Sequence, residues 1–100
     1  MKKITFKTPI DTADGIEHRE LIGYDAGTYK GFCLIVNRSP LYDKSWQVCE
    51  FTTGRKITSG RITSTRQQAL IEACSIIDVL DSAQRDRARM AMSTQAINKL

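Results

Sequence analysis

Backbone chemistry divides this chain at residue 60. All six glycines lie at or before Gly60, and both prolines, Pro9 and Pro40, come earlier still, so nothing between Arg61 and Leu100 interrupts a helix. The first sixty residues instead alternate β-favouring runs with turn clusters. Strands first and helices afterwards is the order of an α+β domain built on an antiparallel sheet. A chain of 100 residues, 41% of them apolar, can fill one core and has no room for a second, so a single domain over residues 1–100 is expected.

The β-favouring runs place strands at about residues 3–8, 19–24, 29–37, 45–52 and 57–63, three to five of which would make the sheet. In the first, Ile4 and Phe6 point one way and lysines and threonines the other; Pro9 is expected to end it as an edge strand, and Asp11 to Gly15 to turn the chain. Residues 29–37 read as the central strand, with Phe32, Leu34 and Val36 on one face and Cys33 and Ile35 on the other. Ser39 to Asp43 then turns the chain, residues 45–52 return through Trp46, Val48, Cys49 and Phe51, and Thr53 to Lys56 makes a tight connection to the last strand. Gly23, Gly27 and Gly31 suggest a flexible connection that displays Tyr24 and Tyr29.

A helix is expected over 65–81. Ser64 and Thr65 followed by Gln67 and Gln68 make a capping pattern, and Ala69, Leu70, Ala73, Cys74, Ile76, Ile77 and Leu80 share one face wide enough to cover a sheet. Ile71 and Val79 fall off that face and call for a second cover, either the C-terminal helix or a partner. Asp81-Ser82 offers another N-cap, so residues 83–98 form a second helix or continue the first. Its apolar stripe, Ala83, Met90 and Ile97, is thin, a composition that packs loosely, docks on another chain or frays, and that can also pair with its copy in a homodimer. Arg85, Arg87 and Arg89 do not share one face, which argues for a solvated helix.

Charge is uneven along the chain. Residues 1–50 carry seven basic and seven acidic side chains and residues 51–100 eight and four, so the net charge of +4 belongs to the second half. Its densest part is Arg55, Lys56, Arg61 and Arg66, set among threonines and serines that can join them in phosphate contacts near a helix N-terminus. As a sequence segment it lacks interleaved aromatics for base stacking. The longest apolar run, Phe32 to Val36, is far too short to span a bilayer, and Met1-Lys2-Lys3 leads into an alternating strand rather than a signal core. Cys33, Cys49 and Cys74, odd in number and set in apolar stretches, read as free thiols; a bridge between Cys33 and Cys49 requires their strands to pair. The expected compartment is the cytoplasm, with no membrane contact.

No catalytic apparatus is legible. The sole histidine, His18, sits among Glu17, Arg19 and Glu20 in a charged segment, no cysteine spacing suits a metal, and Asp11, Asp14, Glu17 and Glu20 lack the alternation of a calcium loop. Gly54 and Gly60 flank a short strand rather than open a helix, so no phosphate loop is present. The expectation is a protein without catalytic, cofactor or metal residues that acts by binding a protein or nucleoprotein partner. Its contact candidates are Tyr24, Tyr29, Tyr42, Arg85 and Arg89; the alternative is nucleic-acid binding through Arg55, Lys56, Arg61 and Arg66.

In size and lack of chemistry the whole chain resembles the small proteins that phages and other mobile elements use against host defences, anti-CRISPR proteins among them, which implies an inhibitor or regulator and assigns no residue. The order of strands and helix from Tyr29 to Leu80 also looks like the cores of double-stranded RNA-binding domains and HicB-like antitoxins, without the preceding RNA-binding helix or a lysine cluster at the start of the helix that follows the strands.

Overall fold

The computed structural model describes residues 1–39, 45–58 and 63–98. Four strands, β1 (Lys2–Thr12), β2 (Gly15–Tyr29), β3 (Phe32–Arg38) and β4 (Trp46–Glu50), form an antiparallel sheet in the order β1-β2-β3-β4, followed by α1 (Arg66–Asp78) and α2 (Ser82–Thr94). This is the expected α+β arrangement, with β1 on an edge and β3 inside.

The first hairpin departs most from expectation. β1 runs through Pro9 to Thr12, and β2 is more than twice the expected length. Pro9 lies opposite His18 in a register in which Thr12 faces Gly15 across a two-residue turn. Counting from that turn, even-numbered residues of β1 exchange hydrogen bonds with β2, whereas the polar groups of odd-numbered ones point off the sheet edge. Pro9 therefore occupies a position where its missing N–H costs no ladder bond. Residues 15–18 escaped detection because Gly15, Ile16, Glu17 and His18 are exposed on both faces, so no apolar alternation marks them.

The three glycines after Leu21 are not a flexible connection. Gly23 lies inside β2, where an added Cβ would sit 2.5 Å from Ile35 Cγ2. Gly27, at φ +82, is part of the bulge between Asp25 and Thr28. Lys30 and Gly31, at φ 47 and 87, make the two-residue turn into β3, whose positive dihedrals match the right-handed twist of the flanking strands. Tyr24 and Tyr29 are consequently strand residues packed at the margin of the core.

Each face of β3 has its own cover. Phe32, Leu34 and Val36 join Val48 and the helical residues Ala69, Ala73 and Ile77, while Ile35 joins Cys49, Phe6 and Phe51. The two alanines let α1 approach β3 and β4 closely, and Leu70, Cys74 and Leu80 pack around the contact. Thr65 caps α1 by accepting from Gln68 N–H (3.1 Å), and the Gln68 carboxamide accepts from Ser64 N–H (3.3 Å). Asp81 and Gln84 make a reciprocal capping box, so α2 is a separate helix. It turns Ala88 and Met92 inward rather than the expected Ala83, Met90 and Ile97 stripe, and none of its residues is fully buried. Ile71 and Val79 stay exposed, so α2 does not cover them.

The second face is closed by the turn that follows β4. The buried Glu50 carboxylate accepts from Thr52 N–H (2.6 Å) and Thr53 N–H (2.9 Å), and Thr8 Oγ1 donates to the Gly54 carbonyl (2.7 Å). Asn98 locks this turn to β1: its Oδ1 accepts from Lys7 N–H (2.7 Å), and its Nδ2 donates to the Lys7 and Phe51 carbonyls (2.8 Å each). Ile97 and Asn98 N–H both donate to the Thr52 carbonyl. In place of an expected strand over 57–63, the described residues show one bridge, Lys56 opposite Cys49, with Ile57 N–H bonded to Val48 and Trp46 N–H to Thr63. Residues 59–62 and the expected turn at 40–43 lie outside the described residues.

Gly54 has φ +69, and an added Cβ would lie 1.9 Å from the Lys7 carbonyl oxygen, whereas Gly15 at φ +117 has open space around it. Gly54→Ala is expected to cost about 3 kcal/mol or more and Gly15→Ala about 1 kcal/mol, the difference measuring the steric closure of turn on strand. Urea denaturation midpoints of the two variants check this.

Candidate functional site

The most organised surface lies where β2, β4 and the start of α1 meet. Pairing places Tyr24 opposite Val36, Val36 opposite Val48 and Arg38 opposite Trp46, so Tyr24 and Trp46 emerge on the helix side of the sheet. Their rings lie 6.2 Å apart at a tilt of 53°. The Arg38 guanidinium sits 4.2 Å from the Trp46 centroid, and that of Arg66 is 4.8 Å from Tyr24 and 5.1 Å from Trp46. Thr65, the N-cap, fixes Arg66 as the first helical residue and so sets where its side chain begins. Both arginines are exposed and both rings half-buried. Two cations are thus held over aromatic faces on a packed base, with less rotamer freedom left to lose on contact than free arginines would have.

Sequence order concealed this patch. Tyr24, Arg38, Trp46 and Arg66 are separated in the chain, and strand pairing together with the docking of α1 interleaves aromatics with cations. The parity that puts Tyr24, Val36, Val48 and Trp46 on one face is the signal that finds it, once the β2 register is known.

The basic residues singled out from sequence do not form one surface. Arg55 and Lys56 line a cleft of about 330 Å³ with Thr8, Pro9, Ile10, Leu21 and Gln47, separate from the patch that holds Arg66. Arg61 and Tyr42 lie outside the described residues.

Arg85 and Arg89, one turn apart on α2, face Lys30 across a cleft of about 430 Å³ that Ser82 and Asp86 also line. Much of that cluster is engaged within the chain. Arg85 donates to the Leu80 carbonyl (3.0 Å), Arg89 pairs with Asp86, and Asp78 accepts from Lys30 (2.6 Å) and the Tyr29 hydroxyl (2.7 Å). Lys30 and Tyr29 hold the Asp78 carboxyl below its ordinary range, and the same hydrogen bond raises the Tyr29 phenol. The cluster thereby ties the β2–β3 turn to the end of α1.

His18 is exposed opposite Pro9. Cys33, Cys49 and Cys74 are free; β3 and β4 do pair, but Cys49 lies opposite Ile35 rather than Cys33. Burial pushes the Cys49 thiol up to about 12 and raises that of Cys74, which disfavours the thiolate at both. Among the described residues no group of three or more His, Cys, Asp or Glu side chains is placed to hold a metal ion, and no helix is long and apolar enough to cross a membrane. No protein-family model, curated protein or solved structure matches this chain.

Because the folded-state pKa of Asp78 is lowered, its pairing contributes stability at neutral pH, and the contribution disappears as pH falls below the ordinary carboxylate value of 3.8. Asp78→Asn is expected to lower stability slightly at neutral pH and to flatten the acid limb of the stability curve. Thermal melts from neutral pH to pH 3 measure both effects.

Proposed function

We propose that this chain is a non-enzymatic binding module that acts on a protein partner, as an inhibitor or regulator of the kind carried by phages and other mobile elements. The observation that supports this reading is the Arg38–Trp46–Arg66–Tyr24 patch. Tryptophan, tyrosine and arginine are the residue types that dominate binding energy at protein interfaces, and here they are clustered, half-exposed and already ordered. The two guanidinium groups favour a partner surface that presents carboxylates, which they can engage bidentately. The earlier contact candidates weaken as a set: Tyr29, Arg85 and Arg89 spend hydrogen bonds inside the chain, while Tyr24 moves from a displayed loop to the patch.

Nucleic-acid binding is the second reading. Arg66 stands at the N-terminus of α1 beside Ser64 and Thr65, a setting suited to phosphate. Two features count against it: the cations cover the ring faces on which bases would stack, and Arg55 and Lys56 belong to a different cleft.

Charge reversal by Arg38→Glu with Arg66→Glu separates the readings. The expected result is loss of a host protein captured by the wild type, with a stability change within about 1 kcal/mol, and no salt-sensitive binding of labelled single- or double-stranded oligonucleotides by either form. Oligonucleotide affinity that falls steeply with salt and vanishes in the double variant selects nucleic acid instead. Capture of the same protein by both forms removes the patch from the contact surface.

A further inference from the structure

Among the described residues, β2 carries an unpaired edge. It pairs with β3 there only from Tyr24 to Tyr29, so Gly15 to Gly23 belong to a ribbon whose described strand partner is β1. In the β1–β2 register, β2's odd-numbered residues bond to β1 and the even-numbered ones, Ile16, His18, Glu20 and Ile22, aim N–H and C=O away from it. Lys7 confirms the parity from the other side, because it lies opposite Glu20 and gives both its N–H and its C=O to Asn98 at the outer edge of β1. Among the described residues nothing bonds to the backbone of Ile16, His18, Glu20 or Ile22 on the exposed side. Ile16 and Ile22 are 63% and 58% exposed at its ends. The other edges are blunted: Asn98 and the turn at Gly54 occupy the middle of β1's, and Arg55, Ile57 and Thr63 bond along β4's.

We propose that this edge accepts, by strand addition, an extended segment of a partner protein that carries lysine or arginine beside Glu17 and Glu20. The inference rests on the protein-binding reading and names a second surface for it. Charge selects the occupant. The ribbon, residues 4–23, holds Asp11, Asp14, Glu17 and Glu20 against Lys7, which lies opposite Glu20, and Arg19, so it is acidic in a chain whose net charge is +4. Glu17 and Glu20 fall on opposite faces of β2, so a basic residue on either face of an added strand meets a carboxylate. Ile16 and Ile22 supply apolar contacts at the two ends, and backbone bonds supply sequence-independent affinity between them.

A second copy of this chain does not fit. A twofold register centred on Arg19, which pairs Ile16 with Ile22 and His18 with Glu20, drives the partner hairpin tip into the end of β3, where Val36 already pairs with Tyr24. A shorter overlap centred on Glu17 puts two glutamates face to face, which is unfavourable between strands, and one centred on His18 sets each Ile16 against Glu20, with no apolar pair across the seam.

The test uses the full chain, isotopically labelled, with a synthetic peptide of alternating lysine and valine and its glutamate–valine counterpart. The expected result is slowed exchange at the amides of Ile16, His18, Glu20 and Ile22 with the lysine peptide alone. Glu20→Pro, which removes an outward N–H without touching the β1–β2 ladder, is expected to weaken binding by about tenfold or more. The Arg38→Glu, Arg66→Glu variant is expected to bind the peptide as the wild type does, which distinguishes failure of this edge from failure of the aromatic patch. Equal response to both peptides, no protection at those four amides, unchanged affinity in Glu20→Pro, or wild-type dimerisation that Glu20→Pro abolishes would each overturn the proposal.

Discussion

The register of β1 against β2 is the constraint on which the rest of this structure depends. With Thr12 opposite Gly15, Ile4 and Phe6 point to the same face as Leu21 and reach the core around Ile35, Cys49 and Phe51. A slip by one residue would turn Phe6 out and Lys7 in. The same register aims the Lys7 amide and carbonyl at the sheet edge, where Asn98 can take both, and places Pro9 where an N–H has no ladder partner to lose. It also leaves a row of donors and acceptors along β2 facing outward.

Closure of the second face follows from this geometry. A four-stranded sheet with one short helical layer over β3 and β4 leaves its other side open, and here the Glu50-capped turn and the last residues of the chain fill that role. Chain ends in sequence thereby become neighbours in space, with Lys7 and Asn98 joined by two hydrogen bonds. α2 contributes little burial of its own and is held by its contacts at either end, Arg85 on Leu80 and Asn98 on β1.

Much of the architecture was legible in the residues. The two-faced pattern of residues 32–36 named the central strand, the breaker distribution separated sheet from helices, and the capping pattern at Ser64-Thr65 marked the first helix start, while Asp81-Ser82 offered the second beside the alternative of one continuous helix. The long β2 was not, because a ribbon exposed on both faces has no apolar period. Nor was the role of Gly23, whose meaning depends on how closely Ile35 and Phe6 approach it from neighbouring strands. The aromatic patch was hidden for a related reason: Arg38 and Trp46 meet only through β3–β4 pairing, and Tyr24 and Arg66 only through the docking of α1. Local chemistry was readable at each residue, and the juxtapositions that give it functional content come from long-range pairing.

The proposed strand-accepting edge inherits its position from the β1–β2 hairpin, so the hairpin's hydrogen-bond parity is the claim to test first. Residue-resolved amide exchange on the free protein does so directly. Slow exchange at Glu17, Arg19 and Leu21 with fast exchange at Ile16, His18 and Glu20 is the result this account predicts. Uniform protection along β2, or the opposite alternation, would contradict it.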